Sequence, residues 1–232
     1  MGFLANMKGN RAYAKHAKGD MEGARKEYEE AVSAGMDNPK LLLTYAMLLL
    51  RSGDYEKTIE VLRKAEKAPG VTADQKTQVM VHYAVAIWKL GKLERALELL
   101  QEVFRKQKSG LSYGVLGFLL IEQGDVEEAL AFNREAVAYD EEDAVFLDNL
   151  AQTYYRLLGD KETAKGYFEK ALQTKPTAID TNYFLAQYDV EAGKREEAIA
   201  KLETAVTGRF SPLNYITREK VQAELDALRA GE

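Results

Sequence analysis

The chain has 232 residues, 46% of them apolar and 30% charged, which is enough length and hydrophobic surface for a folded core. Acidic residues outnumber basic residues by 37 to 32, so no uniformly basic surface is available to bind nucleic acid. The chain has no cysteine, which excludes disulfides, thiolate nucleophiles and zinc sites built from cysteine.

The N-terminal sequence MGFLANMKGN has no basic segment followed by a long apolar core, and Asn6 stands where a myristoylation signal has Ser or Thr. The longest apolar run, residues 41–50, is about half of the roughly 20 residues that a membrane-spanning helix needs. We therefore expect no membrane insertion, and a cytoplasmic location.

A glycine recurs along the chain at positions 19, 53, 91, 124, 159 and 193. Small residues follow this glycine five and twelve positions later in all six repeats, and another precedes it by seven positions, or by eight in the fifth repeat. Helices that pack about 8–10 Å apart need small side chains where their axes cross. Each repeat is therefore predicted to be a helix, a glycine turn and a second helix.

The helix boundaries can be predicted in chain order. Asn38 and Pro39 are the expected N-cap and first residue of the third helix, and Thr72 with Gln75 forms a capping box for the fifth. The aspartates that follow four of the periodic glycines are expected N-caps of second helices. The repeats are placed at residues 5–38, 39–73, 74–109, 110–143, 144–178 and 179–208, with a final helix at about 212–229.

The last two predicted elements depart from strict repetition. The fifth repeat has one extra residue, Leu157 or Leu158, which we expect its turn to absorb. Pro212 is expected to open the final amphipathic helix. This helix is predicted to be a cap, because the last repeat of a stack otherwise exposes its packing face to water.

The second helices carry an alanine followed four positions later by a large residue. Ala24 with Tyr28 and Ala164 with Phe168 are the clearest pairs, and Asn133 departs from the pattern in the fourth repeat. With the period near 34 residues, this pattern resembles the tetratricopeptide repeat family. The resemblance implies an all-α fold: a right-handed superhelical solenoid of about six helix pairs plus a C-terminal capping helix, in a single domain over residues 1–232.

In that family the first helices of successive repeats line a concave groove, so the resemblance implies a protein-binding scaffold. The groove is expected to be apolar over its N-terminal two thirds, with Trp88 and Phe118 as central anchors. For each position, burial against a neighbouring helix is the alternative interpretation. The predicted groove residues are Tyr13, His16, Met47, Leu50, Arg51, Val85, Trp88, Lys89, Phe118, Ile121, Gln152, Tyr155 and Arg156.

The expected partner is a protein or peptide that presents an apolar or amphipathic segment, with acidic flanks that meet Arg51, Lys89 and Arg156. The Lys, Asn and Arg clamp with which some family members bind chaperone tails is missing from the matching positions. Self-association, in which the groove or the terminal helix docks on a second copy, is the alternative. The two histidines, His16 and His82, lie in different repeats, so no enzyme activity, metal or cofactor is predicted.

Overall fold

The computed structural model describes residues 2–231, and these residues contain 13 α-helices, one π-helical segment and no strand. The elements in order are α1 Gly2–Ala17, α2 Met21–Ser33, α3 Pro39–Arg51, α4 Tyr55–Glu66, α5 Ala73–Lys89, α6 Leu93–Lys106, α7 Gly110–Gln123, α8 Val126–Tyr139, α9 Ala144–Gln152, the π-helical segment Thr153–Leu158, α10 Lys161–Thr174, α11 Ile179–Glu191, α12 Arg195–Val206 and α13 Arg218–Ala230. The prediction of an all-α stack of helix pairs is confirmed.

The predicted glycine turns and their aspartate caps are also confirmed. All six periodic glycines have positive φ, from 68° to 87°, a conformation that glycine adopts without the steric cost of a Cβ atom. Asp20, Asp54, Asp125 and Asp160 each accept a hydrogen bond from the backbone three residues later. These bonds satisfy amide groups that the first turn of a helix leaves without a partner.

The small columns lie where the helices of a pair cross. The six residues that follow the glycine by five positions are fully buried, and those that follow it by twelve are buried as well. The core around them includes stacked aromatic rings, such as those of Tyr28 and Tyr45, 5.0 Å apart, and of Phe168 and Phe184, 4.8 Å apart. The residue at each crossing therefore sets how closely two helices approach.

The chain forms two compact units, residues 2–112 and residues 113–231, here called the N-terminal unit and the C-terminal unit. The boundary falls within α7, so repeats 1 to 3 belong to the N-terminal unit. The single-domain assignment and its repeat boundaries stay predictions.

Two local predictions are wrong. The extra residue of the fifth repeat is not absorbed in the turn, because the first helix continues from α9 into the π-helical segment before Gly159 ends it. Pro212 does not open the last helix, which begins at Arg218 with Thr217 as its N-cap. Residues 211–217, here called the capping segment, are instead held by side chains of α11, as described below.

Candidate functional site

Exposure divides the predicted groove residues into three sets. Buried side chains are Leu50, Val85, Phe118, Ile121 and Gln152. Partly buried side chains are His16, Trp88, Tyr155 and Arg156. Exposed side chains are Tyr13, Met47, Arg51 and Lys89. In the protein as described, the members of the first set offer little surface to a partner.

The accessible members in the N-terminal unit lie on three successive first helices. Tyr13 is on α1, Met47 and Arg51 are on α3, and Trp88 and Lys89 are on α5; together they are called the N-terminal strip. Tyr13 and Met47 are 43% and 37% exposed, so part of each large side chain is open to a partner. The strip is a candidate contact surface because such residues concentrate binding energy when a partner desolvates them.

Two aromatic rings of the strip carry a cation on one face. The Lys89 ammonium lies 4.0 Å from the centre of the Trp88 ring, and the Lys40 ammonium lies 5.9 Å from the centre of the Tyr13 ring. Cation–π contacts of this kind contribute about 0.5–1 kcal/mol at exposed sites. The second contact joins α3 to α1, so the strip is continuous across these two helices.

His82, on α5, does not add charge to the strip. Its burial lowers its pKa to about 4, and the positive charge of Arg51 acts in the same direction. His82 is therefore neutral at pH 7, and the positive charge of this surface comes from lysine and arginine.

The C-terminal unit places a polar network on its first helices. The Asp148 carboxylate accepts hydrogen bonds from the Thr181 hydroxyl at 2.5 Å and from the Gln152 amide at 2.7 Å. Arg156 donates to the Gln152 amide oxygen at 3.0 Å and to Glu122 at 2.7 Å. The polar groups predicted for the groove in this unit are therefore occupied by one another.

The capping segment packs against α11 in the same unit. Asp180, which is 6% exposed, accepts hydrogen bonds from the Asn214 side chain at 3.1 Å and from the backbone amides of Tyr215 at 3.1 Å and Ile216 at 3.2 Å. The Tyr215 ring stacks on Phe184 at 5.3 Å, and the Arg156 guanidinium lies 4.1 Å from the Tyr215 ring centre. The capping segment is thus held by α11 and contacts Arg156 of the π-helical segment.

Burial changes the acidity of both aspartates in this network. It raises the pKa of Asp148 to about 7, and the negative charge of Asp180 raises it further, while Thr181 and Gln152 oppose the change. Burial also raises the pKa of Asp180, against its three hydrogen bonds and the charge of Arg156. Asp148 therefore holds its proton to a higher pH than an exposed aspartate does.

The sequence pattern does not single out Lys40, Asp180 or Tyr215. Lys40 follows the helix-opening Pro39 and has the pattern of an ordinary exposed residue. Asp180 has the pattern of a helix-opening acid, and Tyr215 lies in a stretch predicted to be helical. The repeat gives no signal for Asp180, since the matching positions in the first three repeats hold Asn6, Lys40 and Gln78, which are polar and not buried.

Two further findings concern residues 2–231 only. No group of three or more His, Cys, Asp or Glu side chains is arranged to hold a metal ion in this range. None of the helices there combines the length and apolar character that crossing a bilayer requires.

Comparison with known proteins identifies the repeats. The sequence matches tetratricopeptide repeat models over residues 41–141 and over residues 5–34 and 144–177. The chain belongs to the tetratricopeptide repeat family. It is 31% identical over 129 residues to a TPR repeat-containing protein of Dictyostelium discoideum, covering 52% of this chain and 49% of that protein. It is 26% identical over 153 residues to human tetratricopeptide repeat protein 29, covering 61% of this chain and 32% of that protein.

The chain thus spans half or less of the length of these two relatives. Among solved structures, a tetratricopeptide repeat protein from Parabacteroides merdae has a TM-score of 0.75 at 14% identity, covering 97% of this chain and 84% of that chain. A thermophilic TPR protein from Thermus thermophilus has a TM-score of 0.64 at 18% identity, covering 83% of this chain and 100% of that chain. At these identities the likeness shows the fold alone, and the fold suggests a protein–protein interaction scaffold in general.

Proposed function

We propose that the chain is a protein–protein interaction scaffold whose N-terminal strip holds an apolar or amphipathic segment of a partner protein. The observation that carries this proposal is the difference in exposure between equivalent faces. Tyr13 and Met47 are exposed and Trp88 is partly exposed on successive first helices. Phe118 and Gln152, which match Tyr13 and Met47 in the repeat, are buried, as is Val85, which matches them on α5. Single exposed apolar residues are common, but a row of them on adjacent helices is typical of a contact surface.

A photo-crosslinking residue tests this site directly. We would replace Met47 with p-benzoylphenylalanine in the native cell and use Met21 as the control position, because their exposures of 37% and 40% are nearly equal and Met21 lies on the second helix α2. The expected result is a discrete protein adduct from position 47 that is absent from position 21. The Trp88→Ala variant should lose this adduct.

Adducts of equal strength at both positions, or none at position 47, would contradict the proposal. An adduct between two copies of the chain would instead favour self-association.

Self-association has an observation of its own in the first helix. Phe3, Leu4 and Met7 on α1 are 77%, 72% and 52% exposed, which gives a second apolar surface. Light scattering at several concentrations, with a Phe3→Ser, Met7→Ser variant, tests this alternative. A mass of twice the monomer that the variant abolishes would support it.

A further inference from the structure

We infer that the N-terminal strip selects an acidic partner segment, one in which Asp or Glu side chains alternate with aromatic or aliphatic ones. The inference rests on the proposed function, because it names the chemistry of the partner at the same surface. Each accessible apolar side chain of the strip has a cation beside it. Lys40 lies over Tyr13, Lys89 lies over Trp88, and Arg51 follows Met47 by one helical turn.

The charge of the helices that carry the strip is strongly one-sided. Their single acidic residue is Asp74, whose carboxylate accepts a hydrogen bond from Gln107 at 3.0 Å. The same three helices, α1, α3 and α5, carry seven basic residues: Lys8, Arg11, Lys15, Lys40, Arg51, Lys76 and Lys89. A net positive surface of this kind attracts carboxylates and raises the association rate of an acidic segment.

Not all of these cations are available to a partner. Lys8 pairs with Glu30 of α2, and Arg11 and Lys15 pair with Glu27 of the same helix. Within residues 2–231, Lys40 and Arg51 have no carboxylate at ion-pair distance. These two cations, next to the apolar side chains of the strip, are the ones that an acidic segment would neutralise.

A second copy of the chain is a poorer occupant through the first helices of its C-terminal unit. Its first-helix acids in the C-terminal unit are already engaged: Asp148 and Asp180 by hydrogen bonds, Glu122 by Arg156. Glu191 pairs with Lys161 at 2.5 Å, and Asp189 pairs with Lys201. A separate acidic segment meets the strip without breaking such contacts.

The surface also limits the length of the segment. Three first helices packed at the usual spacing span about 20 Å. An extended chain rises by about 3.3 Å per residue, so about six residues cross the strip.

Selection from a random peptide library tests the inference without a known partner. Twelve-residue peptides displayed on phage as internal fusions have no free C-terminal carboxylate, so capture of a chain end is avoided. Selection on the full-length protein should enrich Asp and Glu together with Phe, Leu or Trp. An enriched peptide that lacks tryptophan, synthesised with blocked ends, is then titrated against the fluorescence of Trp88, the one tryptophan of the chain.

Binding should weaken about two- to fivefold in Lys40→Gln and in Arg51→Gln, as expected for exposed ion pairs. It should also weaken with added salt, and in a peptide whose acids are changed to Asn and Gln. Arg63→Gln and Lys64→Gln, which remove the same charges from exposed positions on the second helix α4, are the matched controls and should leave binding within about twofold.

The outcomes separate the two proposals. Enrichment of neutral or basic peptides that lose binding in Trp88→Ala, measured by calorimetry, would overturn the acidic preference and keep the proposed function. If peptide affinity is unchanged in both Met47→Ala and Trp88→Ala, or if no peptide is enriched, both proposals are overturned. Enrichment of peptides that match this chain's own sequence would point to a second copy instead.

Discussion

The first helices of the two units differ in charge and in what covers them. In the N-terminal unit they carry seven Lys or Arg residues and one Asp, and apolar side chains on them remain exposed. In the C-terminal unit, α7, α9 with the π-helical segment, and α11 carry one Arg and five acidic residues, and the capping segment lies against α11. The same repeat geometry therefore makes an open surface in one unit and, in the other, a surface whose polar groups bond to one another.

The helix crossings differ in the same way. Ala12, Ala46 and Ala84 occupy the crossings of the N-terminal unit. In the C-terminal unit Ala151 and Ala186 keep the alanine, but Gly117 takes this place in the fourth repeat. There the fully buried Asn133 donates hydrogen bonds to the Gly117 carbonyl at 3.2 Å and to the Thr153 hydroxyl at 3.1 Å. A buried polar side chain needs hydrogen-bond partners at specific positions, whereas a buried apolar side chain needs only to fill the available volume.

The largest expected effect separates core from surface among the predicted groove residues. Phe118→Ala should lower the free energy of unfolding by about 3–5 kcal/mol, because the ring is buried and its removal leaves a cavity. Met47→Ala should cost less than about 1 kcal/mol, because the side chain is 37% exposed. Urea unfolding measures the loss of stability in both variants. Equal losses would show that Phe118 and Met47 do not differ as core and surface residues.

Asp180→Ala tests how firmly the capping segment is held. The change leaves the amides of Tyr215 and Ile216 and the Asn214 side chain without their acceptor, so we expect a loss of about 2–4 kcal/mol. Asp226→Ala, which removes an exposed carboxylate bonded to Gln222 on α13, is the control and should cost less than about 0.5 kcal/mol. If the two variants unfold at the same urea concentration, the capping segment does not depend on Asp180.

Asp148→Asn tests the titration of the C-terminal unit. The folded-state pKa of Asp148 is raised from 3.8 to about 7, so the folded state holds a proton that the unfolded chain releases, and wild-type stability falls as pH rises through this window. The charges that act on the carboxyl group are Asp180, which opposes ionisation, and Lys175, which favours it.

The Asn variant removes this titration. Relative to wild type, it should gain about 2 kcal/mol between pH 5 and pH 8, as judged by urea unfolding at both values. A pH-independent difference between variant and wild type would show that Asp148 keeps its ordinary pKa.

The smallest effect concerns the polar crossing. A Cβ atom on Gly117 would lie 2.2 Å from the Asn133 amide oxygen, so Gly117→Ala should lose about 1 kcal/mol net, with overpacking outweighing the gain in helix propensity. Gly166→Ala on α10 is the matched control, because nothing lies within 4 Å of its added Cβ, and it should gain about 0.5–1 kcal/mol. Thermal unfolding of both variants tests the sign, and a gain at Gly117 would mean that Asn133 moves freely.

Most of the fold can be predicted from signals that are local in the sequence. The periodic glycines, the aspartates after them and the capping box of Thr72 and Gln75 act within a few residues, so the sequence predicts them correctly. Burial on the first helices is set by side chains from other parts of the chain, and periodicity does not show which of them cover Phe118 or leave Tyr13 exposed. Pro212 led to a wrong prediction of where the last helix begins, because the capping segment is held by Asp180, 32 residues earlier.

The π-helical segment shows how a repeat array tolerates an insertion. Counted from Ala151, Tyr155 takes the place that Trp88 has in its own repeat; counted back from Gly159, Arg156 takes it. The wider turn accommodates both side chains, with Tyr155 4.9 Å from the Phe184 ring and Arg156 over Tyr215. Because Gly159 still ends the helix and Asp160 still caps α10, the next glycine follows at the usual interval and the added residue causes no frameshift in later repeats. Alignments of this chain that place the gap in the turn would assign this repeat position to Tyr155 alone and miss that Arg156 shares it.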